Sequence, residues 1–116
     1  MTHTRIYHNP RCSKSRQTLA VLTEKGLDPE IVLYLETPPS PSELSEILSQ
    51  LGYTPRQLLR TGEAIYKELN LKNSNHSDAE IIQLMCQHPK LIERPIVIHQ
   101  GNAKIGRPPE SVLDIL

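Results

Sequence analysis

The clearest indication of fold lies in residues 5–35, which read RIYHNPRCSKSRQTLAVLTEKGLDPEIVLYL. Residues 5–7 have the character of a short strand, and the Asn9-Pro10 pair forces a turn after it, because a residue before proline avoids the helical region. Residues 13–26 follow a helical pattern that ends on a glycine. Residues 31–35 are apolar and partly β-branched, as is typical of a buried strand. Strand, helix and strand in this order predict a parallel pair joined by a crossover helix.

The rest of the chain predicts a group of helices followed by a β-hairpin. Ser40, Thr54 and Ser77 each begin a predicted helix as N-cap residues. Ile96–Ile98 and Ala103–Ile105 are predicted strands, joined by a turn at Gln100-Gly101-Asn102, and a last short helix begins at Pro108-Pro109. The hairpin adds an antiparallel pair to the sheet. We therefore expect an α/β fold of thioredoxin type, in which helices sandwich a mixed sheet and residues 40–92 form a helical insertion.

Length and composition narrow the function classes. The chain has 116 residues, which predicts a single domain spanning residues 1–116. Its 13 basic and 13 acidic residues cancel, so no cationic surplus favours nucleic-acid binding. No apolar run approaches the ~20 residues of a membrane span, and the N-terminus has no signal-peptide core. Two cysteines cannot make a disulfide framework, so we expect a cytoplasmic protein with reduced thiols and no membrane partner.

Cys12 is the candidate nucleophile. It lies between the first strand and the predicted helix, where free backbone N–H groups and the helix dipole favour a thiolate. Three cationic side chains, Arg11, Lys14 and Arg16, lie in the same short segment. The alternative is that Cys12 is a small buried residue without chemistry, as free cysteines often are.

Ser15 and His8 are the other candidate catalytic residues in this segment. Cys12 and Ser15 form a single-thiol version of the Cys-x-x-Cys redox motif, so the second thiol has to come from elsewhere. The Ser15 hydroxyl could hydrogen-bond the thiolate, or Ser15 could be an ordinary first-turn residue. His8 could stabilise the thiolate as an imidazolium, relay a proton, or be satisfied by the backbone of the turn.

Several segments together resemble the glutaredoxin-dependent arsenate reductases, an ArsC-like family with a thioredoxin-like fold. His8–Leu19 is similar to that family's active-site segment, and Tyr34–Pro39 is similar to its second strand and turn. Later landmarks match in the same order: Leu58-Leu59-Arg60, Gln87-His88-Pro89, Glu93–Val97 and Ile105–Pro108. The chain is thereby identified as a member of the short bacterial type of this family.

The resemblance implies an oxidoreductase of arsenical resistance. In similar proteins the cysteine at the Cys12 position attacks arsenate, water leaves, and a covalent thiol–arsenate forms. Glutathione then adds, and glutaredoxin reduces the mixed species so that arsenite departs. The implied partners are therefore arsenate or a similar oxyanion, glutathione as co-substrate, and glutaredoxin. No bound cofactor and no metal are implied.

The resemblance also assigns an oxyanion site. Arg94 and Arg107 correspond to residues linked with the oxyanion, and Arg60 to one linked with the later arsenic intermediate. Planar, permanently charged guanidinium groups suit a tetrahedral dianion, although an arginine taken alone is more often part of a surface ion pair. Pro95 is expected to be the cis-proline that faces the catalytic cysteine in thioredoxin-like folds, the alternative being an ordinary trans proline.

Two other functions and one other cysteine remain open at this stage. Regulators of the Spx type share the fold and bind RNA polymerase, but typically carry the second cysteine that Ser15 replaces. A glutathione-linked thiol reductase acting on protein mixed disulfides is the other alternative. Cys86 is expected to pack within a helix, with a resolving thiol as the alternative. Cys86 and His88 without further ligands do not indicate a metal site.

Overall fold

The computed structural model describes residues 3–116, which divide into two compact units. One unit, the sheet unit, combines residues 3–37 with Arg94–Leu116. The other, the helical unit, is Pro38–Glu93. The predicted insertion, residues 40–92, lies within the helical unit. That the whole chain forms a single domain stays a prediction.

The sheet unit contains a four-stranded mixed sheet. Its strands are β1 (Thr4–Tyr7), β2 (Glu30–Val32), β3 (Ile96–His99) and β4 (Asn102–Ile105), in the spatial order β2-β1-β3-β4. β1 pairs with β2 in parallel and with β3 antiparallel, and β3 pairs with β4 antiparallel. Both the predicted parallel pair and the predicted hairpin are confirmed.

The crossover helix α1 (Ser13–Glu24) packs with the C-terminal segment over the sheet. That segment, predicted as a short helix, is a 3-10 helix at Pro109–Ile115. Four fully buried side chains form the core of this layer, and they come from β1, α1, β3 and the 3-10 helix: Ile6, Leu22, Val97 and Val112. These buried apolar side chains hold α1, which begins directly after Cys12, against the sheet.

The second strand differs from its prediction. β2 ends at Val32 instead of Leu35, and it is an edge strand with a partner on one side only. Ile31 is accordingly 48% exposed, and Leu33 and Leu35 are also exposed, whereas Tyr34 is buried. The chain turns after Val32, where the N–H groups of Glu36 and Thr37 both donate to the carbonyl of Leu33 at 2.9 Å. The expectation of a buried strand was wrong, because an apolar sequence does not reveal which strand ends the sheet.

The hairpin turn is tighter than predicted. Gln100 and Gly101 have φ of 51° and 84°, and Asn102 is already part of β4. Two consecutive residues with positive φ form the two-residue loop that suits the right-handed twist of paired strands. The turn fixes the register in which Ile96 faces Ile105 at the far end of the hairpin.

The helical unit contains α2 (Pro41–Leu51), α3 (Ala64–Glu68) and α4 (Asp78–Gln87), with 3-10 turns at Pro55–Leu58, Leu71–Asn73 and Pro89–Leu91. Capping boxes at Ser40 and Ser77 begin α2 and α4, as predicted. The two helices pack together through buried apolar side chains: Leu44, Ile47 and Leu48 from α2, and Ile81 and Met85 from α4. Within residues 3–116, no helix has the length and apolarity that crossing a bilayer demands.

Candidate active site

Strand direction brings three chain segments to one end of the sheet. In the β1–β3 register Tyr7 faces Ile96, so the carboxyl end of β1 lies beside the amino end of β3. In the β3–β4 register Ile96 faces Ile105, so the carboxyl end of β4 lies there too. The segment that carries Cys12 leaves β1 at this end, Arg94 lies shortly before β3, and Arg107 lies shortly after β4.

Cys12 is the N-cap residue of α1 and is 9% exposed. Burial by itself raises the pKa of the Cys12 thiol, but it is outweighed by groups that favour the thiolate. These are the backbone N–H of Ser15, the side chain of Arg94 through hydrogen bonding and charge, and the backbone N–H of Lys14. The net effect is a pKa below the ordinary thiol value. The thiol thus occupies a position where helices prefer an anionic or hydrogen-bond-accepting group.

Arg107 and Arg94 are both brought to the sulfur. Nη2 of Arg107 donates to Sγ of Cys12 at 3.6 Å, and Nε of Arg107 donates to the carbonyl oxygen of Arg94 at 2.8 Å. The Arg94 side chain lies near enough to Cys12 to lower the pKa of its thiol through hydrogen bonding and charge. Two guanidinium groups at one nucleophilic sulfur create a local positive field of the kind that suits an oxyanion.

The two arginine segments are held together by their neighbours. The N–H of Gly106 donates to the carbonyl of Pro95 at 3.0 Å, which extends the β3–β4 pairing by one bond. The Arg94–Pro95 peptide bond is cis, as predicted, and so is Arg107–Pro108, which was not predicted. Gly106 also lies against Thr18 of α1, whose hydroxyl donates to the carbonyl of Lys14 at 2.8 Å. Sequence reasoning missed Gly106 and Thr18, since only tertiary packing makes a small residue necessary there.

Ser15 and His8 form a buried polar pair beside the sulfur. The Ser15 side chain is fully buried, and its Oγ lies 2.6 Å from Nδ1 of His8 and accepts the backbone N–H of Asn9 at 3.0 Å. The hydroxyl is therefore engaged with His8 and Asn9, and it is the backbone N–H of Ser15 that acts on the thiolate. In this structure the Ser15 hydroxyl hydrogen-bonds His8 and Asn9, and its suggested hydrogen bond to the thiolate stays a prediction.

The surroundings of His8 favour its neutral form. Burial, and secondarily the charge of Arg16, lower the pKa of His8 below its usual value. The imidazolium role considered for His8 is therefore disfavoured and, like the proton relay, stays a prediction. The His8 ring hydrogen-bonds Ser15 and so connects the turn to α1. The backbone N–H of His8 donates to the carbonyl of Val32 at 2.9 Å.

Asn9 is the further residue that organises this loop. Its carbonyl accepts the N–H of Cys12 at 3.0 Å, and its side-chain Oδ1 accepts the N–H of Arg11 at 3.1 Å. An asparagine side chain that accepts the N–H two residues on forms an Asx turn. The Asn-Pro pair was the available sequence signal, although we used it only to place a turn.

Arg60 belongs to the helical unit. Its Nη1 donates to Oε1 of Glu93 at 2.7 Å, and its Nε donates to Oε1 of Glu63 at 3.3 Å. Arg60 therefore takes part in ion pairs, which was the alternative stated for each arginine. Its assigned role toward an arsenic intermediate stays a prediction.

The surroundings of Cys86 disfavour its thiolate, in contrast to those of Cys12. Burial raises the pKa of the Cys86 thiol, and the charge of Glu43 raises it further. Cys86 is partly buried in α4, as a packing residue would be, and both cysteines are free thiols. Among residues 3–116, no group of three or more His, Cys, Asp or Glu side chains is arranged to hold a metal ion.

Comparison with known proteins gives a consistent result. A protein-family model described as the ArsC family matches residues 7–115. The chain is 56% identical over 113 residues to the uncharacterized protein YfgD of Escherichia coli strain K12, covering 97% of this chain and 95% of that one. It is 54% identical over 112 residues to an arsenate reductase of Haemophilus influenzae, covering 96% and 97% respectively.

A solved structure agrees closely with this one. The arsenate reductase from Vibrio cholerae superposes with a TM-score of 0.96 at 52% identity, covering 99% of this chain and 98% of that chain. The predicted thioredoxin-like α/β fold is thereby confirmed.

Proposed function

The chain belongs to the ArsC family, and from this premise we propose that it is an arsenate reductase whose nucleophile is the Cys12 thiolate. The single observation that carries the proposal is the convergence of Arg94 and Arg107 on a cysteine with a lowered pKa. The names of two similar proteins, an arsenate reductase of Haemophilus influenzae and one of Vibrio cholerae, support the same substrate.

The first step is attack of the Cys12 sulfur on arsenic. The thiolate forms an S–As bond, one arsenate oxygen takes up two protons and leaves as water, and arsenic stays in its +5 state. The guanidinium groups of Arg94 and Arg107 offset the negative charge of both reactants, which would otherwise repel one another. The N–H groups at the start of α1 provide further donors to an anion at this position.

Reduction then requires two external thiols, because Ser15 occupies the position of a second cysteine. Glutathione displaces a second oxygen as water and forms a second S–As bond. A glutaredoxin thiol attacks the glutathione sulfur, forming a mixed disulfide, and the electron pair of the broken S–As bond reduces arsenic to its +3 state. Water releases arsenite from Cys12. The family resemblance supports glutathione and glutaredoxin as co-reactants.

The remaining site residues have supporting roles in this proposal. His8 and Ser15 hold the loop before Cys12 in place through their mutual hydrogen bond. Arg60 is assigned to the later arsenic intermediate on the family resemblance alone. Pro95 holds the Arg94 segment against Gly106.

We further propose that the protein acts in the cytoplasm, without a bound cofactor and without nucleic-acid or membrane partners.

A coupled assay tests the proposal. Purified protein, glutathione, glutaredoxin and an NADPH-recycling system should show NADPH consumption that depends on arsenate. Cys12→Ser should abolish it, and Cys86→Ser, the matched control, should retain it. Arg94→Ala and Arg107→Ala should each lower kcat/KM for arsenate by about 10- to 100-fold, the equivalent of one lost charge-assisted contact.

Other outcomes would identify a different function. NADPH consumption only with a glutathionylated protein substrate would favour a thiol reductase and contradict arsenate reduction. Absence of turnover together with binding of RNA polymerase would favour a regulator. Unchanged kinetics in both arginine variants would show that these residues do not bind the oxyanion.

A further inference from the structure

A cleft borders the loop that leads to Cys12, and the reaction steps above do not use it. It has a volume of about 310 Å³ and is lined by His8–Arg11 on one side and by Leu33, Leu35 and Glu36 on the other. Both sides belong to the sheet unit. This volume is at the small end of ligand sites, which run roughly 300–1,000 Å³, and it suits a peptide-sized molecule better than a macromolecule.

Hydrogen bonds fix the first wall in place. The carbonyl of Asn9 accepts the N–H of Cys12, and Oδ1 of Asn9 accepts the N–H of Arg11. Nη1 of Arg16 donates to the carbonyl of Pro10 at 2.8 Å. A ligand seated against this wall is therefore held beside the loop whose next residue is the nucleophile.

The second wall is a turn fixed by its own backbone. The N–H groups of Glu36 and Thr37 donate to the carbonyl of Leu33, and the N–H of His8 donates to the carbonyl of Val32, which joins the two walls. The cleft is therefore preformed, so binding of a ligand carries little entropy cost for ordering its loops.

The lining combines two opposite charges with an apolar surface. Leu33 and Leu35 are 36% and 37% exposed, although both are large and apolar. Arg11 and Glu36 are exposed, and in the part of the chain that the structure describes neither side chain takes part in an ion pair or side-chain hydrogen bond. A ligand matched to these walls has a carboxylate for Arg11, an ammonium group for Glu36 and an uncharged body for the leucines.

We propose that this cleft binds the zwitterionic peptide thiol that attacks the Cys12–arsenate adduct, with a carboxylate on Arg11 and the ammonium group on Glu36. The inference rests on the proposed function, in which glutathione is that thiol. It adds the place where the thiol binds, on the β2 side of Cys12, whereas Arg94 and Arg107 approach from the β3–β4 side.

The step served by the cleft is a substitution at arsenic without electron transfer. The bound thiol gives up its proton, its sulfur forms a bond to arsenic, and one As–O bond breaks so that the oxygen leaves as water. The Cys12–arsenic bond stays intact and arsenic stays in its +5 state. The reductant, a glutaredoxin thiol, acts only afterwards.

Binding is tested without any turnover, using S-methylglutathione, whose blocked sulfur cannot react. Amide shifts of the isotope-labelled full chain carrying Cys12→Ser are followed by NMR as the probe is added. We expect saturable shifts in the amides of Asn9, Arg11 and residues 33–36. Glu36→Gln should raise the dissociation constant about five-fold, the upper end for an exposed ion pair. Glu24→Gln, an exposed carboxylate on α1, is the matched control and should leave the constant unchanged.

A second comparison isolates the ammonium group. An S-methylglutathione analogue without its α-amino group should bind the protein with Glu36 more weakly than S-methylglutathione does. The two compounds should bind the Glu36→Gln variant equally well. In the coupled assay Glu36→Lys should raise the KM for glutathione at least about five-fold and leave the KM for arsenate unchanged.

The outcomes separate this inference from the proposed function. Shifts confined to the Arg94 and Arg107 segments, no saturable shifts, or equal changes in both KM values with Glu36→Lys would overturn the cleft as the thiol site. Failure of the arsenate reductase proposal itself would appear as absent arsenate-dependent NADPH consumption in the unaltered protein, which the NMR titration does not measure.

Discussion

Replacement of Gly106 by alanine should shift the segments that carry Arg94 and Arg107, the two arginines proposed to bind the oxyanion. A Cβ built on Gly106 overlaps Oγ1 of Thr18, and it lies 2.8 Å from Cγ of Pro95 and 2.9 Å from Cγ2 of Thr18. Real Cβ atoms are essentially never found closer than 3.0 Å to such neighbours. Position 106 therefore requires glycine, because Thr18 and Pro95 approach its Cα too closely to leave room for a Cβ.

The expected cost follows from this overlap. Inserting one extra carbon into a packed site costs about 2 kcal/mol. For a chain of this length, that free energy corresponds to a fall in Tm of ~8 °C. Gly106 is hydrogen-bonded to Pro95 and directly precedes Arg107. A backbone shift that relieves the overlap therefore moves the Arg94 and Arg107 segments relative to Cys12. The pKa of the Cys12 thiol should then rise toward its ordinary value.

Two measurements on the same variant check this reasoning. Thermal unfolding followed by circular dichroism gives the change in Tm, and the rate of Cys12 alkylation against pH gives the change in thiol pKa. Gly62→Ala is the matched control, since a Cβ on Gly62 meets nothing within 4 Å. It should change neither Tm nor the alkylation profile by more than the uncertainty of the measurement.

A compensating substitution provides the sharpest test. Thr18→Ala removes the two Thr18 atoms among the three that lie nearest to the new Cβ, and leaves the Pro95 contact. The double variant Gly106→Ala/Thr18→Ala should therefore recover part of the lost Tm relative to the sum of the two single variants. Strict additivity, or a Gly106→Ala variant with unchanged Tm and an unchanged alkylation profile, would refute the close-packing argument.

Three further predictions concern thiol reactivity and local stability. Cys12 should reach half-maximal reactivity with iodoacetamide at a lower pH than Cys86, because the pKa of Cys12 is lowered and that of Cys86 is raised. Mass spectrometry distinguishes the two sites, and equal pH profiles would contradict the prediction. Ser15→Ala should lower the free energy of unfolding by about 2 kcal/mol, because it leaves the buried His8 ring without its hydrogen bond. It should change the pH profile of Cys12 alkylation little, and a large change would show that the hydroxyl acts on the sulfur. Ser40→Ala should cost about 1 kcal/mol in urea unfolding through loss of the α2 capping box, and an unchanged midpoint would contradict that role.

The order of elements and the nucleophile could be predicted from the sequence because both depend on local patterns. Helix starts at Ser40 and Ser77 are set by side chains that bond backbone groups three residues away. The position of Cys12 at the start of α1 follows from the preceding turn and the helical pattern after it. These signals need no knowledge of distant parts of the chain.

The geometry of the site was decided by contacts between residues far apart in sequence. Arg107 reaches Cys12 across 95 positions, and only strand register brings both to one end of the sheet. Whether β2 is central or at an edge, and whether position 106 tolerates a Cβ, both depend on distant neighbours that no local sequence pattern reveals. Local hydrogen bonding and hydrophobic periodicity fix the elements, whereas packing between them fixes the charges and close contacts on which chemistry depends.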